Sequence, residues 1–209
     1  MPHVVLLGDS IFDNAAYVGG GPDVVTQLRA ALPSGWQATL CAVDGATTDD
    51  LRPQLSRIPR DATHLVLSVG GNDALAHVDI LERPARSAAE VLSVLADIAA
   101  RFELRYRRAV AALRDRGLPL SICTIYNGRF PDPLTQRLAQ TALTVFNDVI
   151  LRVAIEHALA AIDLRALCAD PADYANPIEP SSVGGEKIAR AIARVVTGAA
   201  EGAARVVGP

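Results

Sequence analysis

Short, almost wholly apolar runs recur along this chain, and each is followed by a segment striped at helical spacing. Residues 4–7 and 65–69 are too short for buried helices and show no polar alternation, so they read as strands covered on both faces. Residues 119–125 and 160–164 read as a fourth and a short fifth strand. Residues 36–43 form a second strand, in which Gln37 and Thr39 suggest a less buried place. Between the strands, Asp23 caps a helix carrying Val24, Val25, Leu28 and Leu32 on one face. A short helix is expected from about 49 to 57, and 87–116 is strongly helical, with Ser87 and Glu90 at capping-box spacing. That segment could be one helix or two. Leu134, Leu138, Ala142, Val145, Val149 and Val153 stripe another long helix, and Ile188, Ile192 and Val195 a last one. Residues between the fifth strand and Ser182 read as an irregular, Pro-containing loop. Strands alternating with helices predict an α/β fold: a parallel sheet of about five strands between two helical layers, joined by right-handed crossovers.

The chain's 209 residues suit one such domain, 1–209, with a small-residue tail at 198–209 expected to fray. Half of the residues are hydrophobic and 21% are charged, which supports a sizeable core and argues against disorder. The formal net charge is −3 and no basic block occurs, so no nucleic-acid partner is expected. Cys41, Cys123 and Cys168 show no metal-type spacing, and a disulfide framework is not expected. No apolar run is read as long enough for a membrane span. With core sequence from residue 3, no signal peptide is expected and a cytoplasmic location is the default. The oligomeric state is open.

Chemistry gathers at the strand ends. Gly8-Asp9-Ser10, Asp44-Gly45 and Gly70-Gly71-Asn72-Asp73 are polar, glycine-bearing turns that each follow a strand. Parallel strands point the same way, so these turns share one rim of the sheet, the carboxyl edge where ligands bind in open α/β folds. The rim offers a hydroxyl, backbone N–H groups beside glycines, and a carboxamide. Those parts suit acyl transfer: a nucleophile and donors for a developing oxyanion. Tyr126, Arg129 and Phe130 follow the fourth strand on the same rim; they could wall a pocket, though an ordinary exposed loop is the plainer expectation. Asp13 and Asn14 lie near Ser10 and could fix its turn, and Lys187, the only lysine, reads as a solvated helix position.

In these blocks and their order the chain resembles the SGNH hydrolases, also called GDSL esterases and lipases. The resemblance implies a flavodoxin-like three-layer α/β/α sandwich and hydrolysis of small-molecule esters or thioesters, with no metal or organic cofactor. It makes Ser10 the nucleophile, and the Ser10 N–H, the Gly45 N–H and the Asn72 side chain an oxyanion hole.

The family's last block, Asp-x-x-His, reads Asn176-Pro177-Ile178-Glu179 here. A neutral His beside an ionised Asp carries about one negative charge, as does an ionised Glu beside a neutral Asn, so the paired change conserves the charge of the site. Asn176 is expected to donate its amide N–H to Glu179 and orient it. Glu179 is the candidate general base. A carboxylate's usual pKa lies roughly two units below that of imidazole, a deficit of about 3 kcal/mol that a dry pocket could lessen. His3 and His64 begin their strands and His157 ends a helix, all on the opposite rim; only His77 could serve as an alternative base. The leading expectation is a serine esterase acting on small acyl or acetyl esters. The alternatives are a non-catalytic ligand-binding relative and an acyltransferase using the same acyl-enzyme.

Overall fold

A computed structural model describes residues 1–199, so most of the tail expected to fray lies outside the described residues. Five parallel strands form the sheet: β1 (His3–Gly8), β2 (Gln37–Leu40), β3 (His64–Ser68), β4 (Leu120–Cys123) and β5 (Ala160–Ile162). Their order is β2-β1-β3-β4-β5, that of the flavodoxin-like fold which the family resemblance implied. The chain leaves β1 toward one edge and crosses back to β3, so a crevice opens at the carboxyl end of β1.

Alternation along β1 divides the core. Val5 and Leu7 pack with Leu65, Leu67 and Ile122 beneath α4 (Ala88–Arg114) and α5 (Pro133–Glu156). Val4 and Leu6 face the other way, with Val66 and Cys123, onto α1 (Val24–Ala31) and α7 (Ser182–Val196). Both faces are covered, which is why β1 is apolar at consecutive positions rather than alternate ones. Shorter helices complete the layers: α2 (Leu51–Ser56), α3 (Gly71–Leu75) and α6 (Leu164–Leu167).

The cap acts as expected at Asp23, whose carboxylate accepts from Thr26 N at 2.9 Å; at Ser87 only half of the capping box forms, the hydroxyl accepting from Glu90 N at 3.2 Å while Glu90 Oε2 accepts from Arg86 N at 3.1 Å. The segment after Ser87 is one continuous helix. Asp132 caps α5, with Pro133 in its first turn where no N–H is missed. α5 has the length and a mean hydropathy of 1.4 that would suit a membrane span, contrary to the reading that no run does. Here its apolar face packs on the sheet through Phe146, Val149, Ile150 and Val153.

The stretch read as an irregular loop before Ser182 carries a small antiparallel pair, β6 (Tyr174–Asn176) and β7 (Glu179–Pro180). Two strands this short leave no periodicity to read. They bring Glu179 over the crevice at the end of β1.

Candidate active site

The turn after β1 is held by contacts from β3 and α2 and by bonds of its own. Gly8 has φ +124°, and a Cβ there would sit 1.7 Å from the Ser68 carbonyl oxygen, so only glycine lets β1 run this close to β3. The buried Gln54 amide grips the same residue: Gly8 N donates to Gln54 Oε1 at 2.8 Å and Gln54 Nε2 to Gly8 O at 2.7 Å. Asp9 N donates to Ser68 O at 3.0 Å, and Phe12 N and Asp13 N turn back onto Asp9 O at 3.1 and 3.2 Å. Ser10 is left at the apex, with its backbone N–H unused by any acceptor among the described residues. Gln54 carried no signal in sequence; it lies in a short helix with no motif of its own.

The other two turns meet this one. Gly45, at φ +77°, also leaves its N–H without an acceptor among the described residues. Asn72 Nδ2 donates to Ala46 O at 2.9 Å, which ties the third turn to the second and leaves one amide proton over. Asp73 completes the tie: its buried carboxylate accepts from Thr48 N at 3.0 Å and Thr48 Oγ1 at 2.6 Å. Asp13 Oδ2 likewise accepts from Asp44 N at 3.0 Å, joining the first turn to the second.

Ser10 Oγ donates to Glu179 Oε1 at 3.0 Å. Both residues are buried, at 7% and 6% exposure, and Glu179 Oε2 has no hydrogen-bond partner among the described residues. The segment that carries Glu179 is pinned on every side. Tyr126 Oη donates to Ile178 O at 2.5 Å, Arg129 N to Pro177 O at 2.7 Å, and Asn14 Nδ2 to Pro180 O at 3.3 Å. Asn14, wholly buried, also accepts from Val24 N at 3.0 Å, so it links α1, the Ser10 turn and β7.

Lys187 is not merely solvated. Its Nζ lies 2.7 Å from Oδ1 of Asp173, a residue with no exposed surface, and 3.1 Å from Asp170. Asp173 O in turn accepts from Ser181 N at 2.9 Å. A Cβ at Gly184 would fall 2.2 Å from that carbonyl oxygen, so α7 needs glycine to approach the segment.

The expected Asn176–Glu179 hydrogen bond does not form. Asn176 is exposed, and its Oδ1 is taken by Ile178 N at 2.9 Å, a local turn bond that this side chain makes readily. Glu179 is instead held through its backbone neighbours. His77 lines the cavity beside Ser10 but makes no hydrogen bond to Ser10 or Glu179.

Burial dominates the electrostatics. It lifts the Glu179 carboxyl from its usual 4.5 to about 7; the Ser10 hydroxyl opposes this in part, and the charge of Asp44 adds to it. Asp9, fully buried, is pushed up to about 8, again mainly by burial; the Ile11 N–H opposes, and Glu179 and Asp73 add repulsion. A mostly neutral Asp9 at pH 7 does little to oppose the ionisation of Glu179.

From Ser10 a cavity of about 120 Å³ runs beneath α3 and between α4 and α5. Tyr126 and Phe130 form part of its wall, and Tyr126 is buried at 4% exposure, so this loop is not the ordinary exposed one that the sequence suggested.

Comparison with known proteins agrees with this architecture. The extracellular lipase of Streptomyces rimosus superposes with a TM-score of 0.69 at 18% identity, over 95% of this chain and all of that one. A G-D-S-L lipolytic protein from Veillonella parvula gives 0.70 at 15% identity, over 94% and 99%. The acetyl xylan esterase AlAXEase gives 0.69 at 18% identity, over 93% and 99%. No curated protein matches in sequence. Residues 6–184, which hold all three turns and Glu179, match the GDSL-like lipase/acylhydrolase family, so the chain belongs to that family of ester hydrolases.

Proposed function

We propose that the chain cleaves carboxylic esters through an acyl-enzyme on Ser10, with Glu179 as the general base. The observation that carries this reading is the 3.0 Å hydrogen bond from Ser10 Oγ to a buried carboxylate. In its ionised form Glu179 accepts the hydroxyl proton as Oγ attacks the ester carbonyl carbon. The C=O pair moves onto oxygen, and the negative charge falls to the Ser10 N–H, the Gly45 N–H and the spare Asn72 amide proton. Collapse expels the alkoxide, which takes the proton from Glu179. Water then enters from the Glu179 side and loses a proton to the same carboxylate as it attacks the acyl-enzyme. Collapse of this second tetrahedral intermediate expels Ser10 Oγ, which takes the proton back from Glu179, and the product acid leaves with both residues regenerated.

The weakness of a carboxylate base is its low pKa, about two units below that of imidazole. At about 7, Glu179 no longer carries that deficit. Asn176 has no direct part in this scheme, and Glu179 is oriented by Tyr126 and Asn14 acting on its neighbours.

A fluorophosphonate probe tests the reading. Labelling of the folded protein should be lost in Ser10→Ala, and Glu179→Gln should lose about 10²–10⁴-fold in kcat. No labelling between pH 6 and 9 would favour a non-catalytic binder. Slow hydrolysis with brisk transfer to an added alcohol would favour an acyltransferase. Near-normal turnover in both Glu179→Gln and Glu179→Ala would remove Glu179 from the mechanism.

A further inference from the structure

We infer, on the basis of the serine-esterase reading, that the preferred acyl group is an apolar chain of about four to eight carbons rather than acetyl. The cavity that starts at Ser10 is the reason. Ser10 and its partner Glu179 mark one part of its lining, while the buried trio Val69, Ile98 and Phe146 belongs to the hydrophobic core beneath α4 and α5 and gives the cavity an apolar floor. Space exists because the helices present small side chains there, Ala74 on α3 and Ala139 and Ala142 on α5. An acetyl group would leave that apolar space unfilled, and its lining without contacts.

The alternative occupant is the leaving alcohol. The alcohol must collect a proton from Glu179, and water must later arrive beside the same carboxylate, so the Glu179 side has to clear between the two half-reactions. The group that stays bound through both is the acyl chain. It belongs in the arm that leads away from Glu179 to a hydrophobic floor.

Two estimates bracket the length. At the roughly 30 Å³ that a water-sized unit occupies, 120 Å³ holds about four carbons as a lower bound. Along α5 the lining runs from Ala139 to Phe146, about 10 Å at 1.5 Å per residue. An extended chain advances roughly 1.2 Å per bond, which gives about eight carbons as an upper bound. The chain is similar in fold to both a lipase and an acetyl xylan esterase, so the fold alone does not choose between long and two-carbon acyl groups.

The test is the acyl-length profile with p-nitrophenyl esters from acetate to palmitate. We expect kcat/KM to climb by up to about fourfold per added methylene to an optimum between butanoate and octanoate, then fall. In Ala142→Phe, which obstructs the arm, the octanoate-to-acetate ratio should drop at least tenfold; a ratio taken within one preparation is insensitive to the fraction folded. Ser10-dependent turnover that is flat with length or best with acetate overturns the inference and leaves the esterase reading standing. If no ester shows Ser10-dependent turnover, the esterase reading fails, and thermal shift of Ser10→Ala decides the cavity alone. Stabilisation by methyl octanoate but not methyl acetate, reduced in Ser10→Ala/Ala142→Phe, would support an apolar-chain site. Absence of any such shift would overturn it.

Discussion

A carboxylate that must both strip a proton from a hydroxyl and return it to an alcohol works best when its pKa sits near the working pH. Glu179 reaches about 7 because it is buried. The rate should therefore follow its ionised fraction: kcat/KM rises with pH through a limb near 7 and is lost below it as the carboxylate takes up a proton. A pH–rate profile with a limb below 5 would mean that the base is a solvated carboxylate or another group. His77→Ala should leave that limb in place, because no hydrogen bond joins His77 to Ser10; disappearance of the limb would transfer the role to His77. Asn176→Ala should keep kcat/KM within about threefold, since among the described residues the Asn176 side chain bonds only to Ile178 N. A loss of a hundredfold would restore the orienting role that its position in the sequence first suggested.

Among the elements, β7 depends on contacts that no local pattern announces. Lys187 on α7 compensates the buried Asp173 carboxylate, and Asp173 O holds Ser181 next to β7. Lys187→Met should lower stability, because the buried Asp173 carboxylate loses the ammonium that lies 2.7 Å from it. It should also lower kcat more than it raises KM, since Glu179 would lose its fixed position. Urea unfolding with steady-state kinetics checks both; a variant of unchanged stability would show that Asp173 does not need the lysine. The legibility of the molecule divides along the same line. β1 and β3 were readable because two-sided burial writes itself as consecutive apolar residues, and α4 and α5 because their stripes are long. The three glycine-bearing turns and the frame of the fourth block were readable too, because a turn needs particular residues at particular places. What holds the Ser10 turn and the Glu179 segment was not: Gln54 grips Gly8 across 46 residues of chain, Tyr126 grips Ile178 across 52 and Lys187 grips Asp173 across 14, and spacing along a sequence does not encode contacts of that range. Asn176 was misjudged because a short side chain two residues from a free N–H satisfies itself locally.

For the molecule as a whole, the same burial that tunes the site works against the fold. Glu179 and Asp9 have native pKa values raised above their usual 4.5 and 3.8, so native protein holds their protons more tightly than unfolded chain does. Stability tied to them is intact below about pH 4 and is lost as pH rises through about 7 and 8. Glu103 runs the other way. Bonded by Arg152 and Arg107 where α4 meets α5, its carboxyl is held near 2, so its contribution is present above the usual 4.5 and lost as pH falls toward 2. The slopes are opposed: acid removes what Glu103 contributes and alkali what Glu179 and Asp9 contribute, so Glu179 becomes ionised and active on the side where its burial costs stability. For Glu179 alone the alkaline loss is roughly 3 kcal/mol, or about 6–12 °C in Tm for a chain of this size. Melting curves of wild type and Glu179→Gln from pH 4 to 9 measure it directly. Near pH 4 the two should coincide, and by pH 8 the inactive variant should melt several degrees higher, because it has given up an ionisation that catalysis requires and folding opposes. Parallel curves across the whole range would show that Glu179 ionises as freely in the folded protein as in water, and a base poised near neutrality would have to be sought elsewhere in the site.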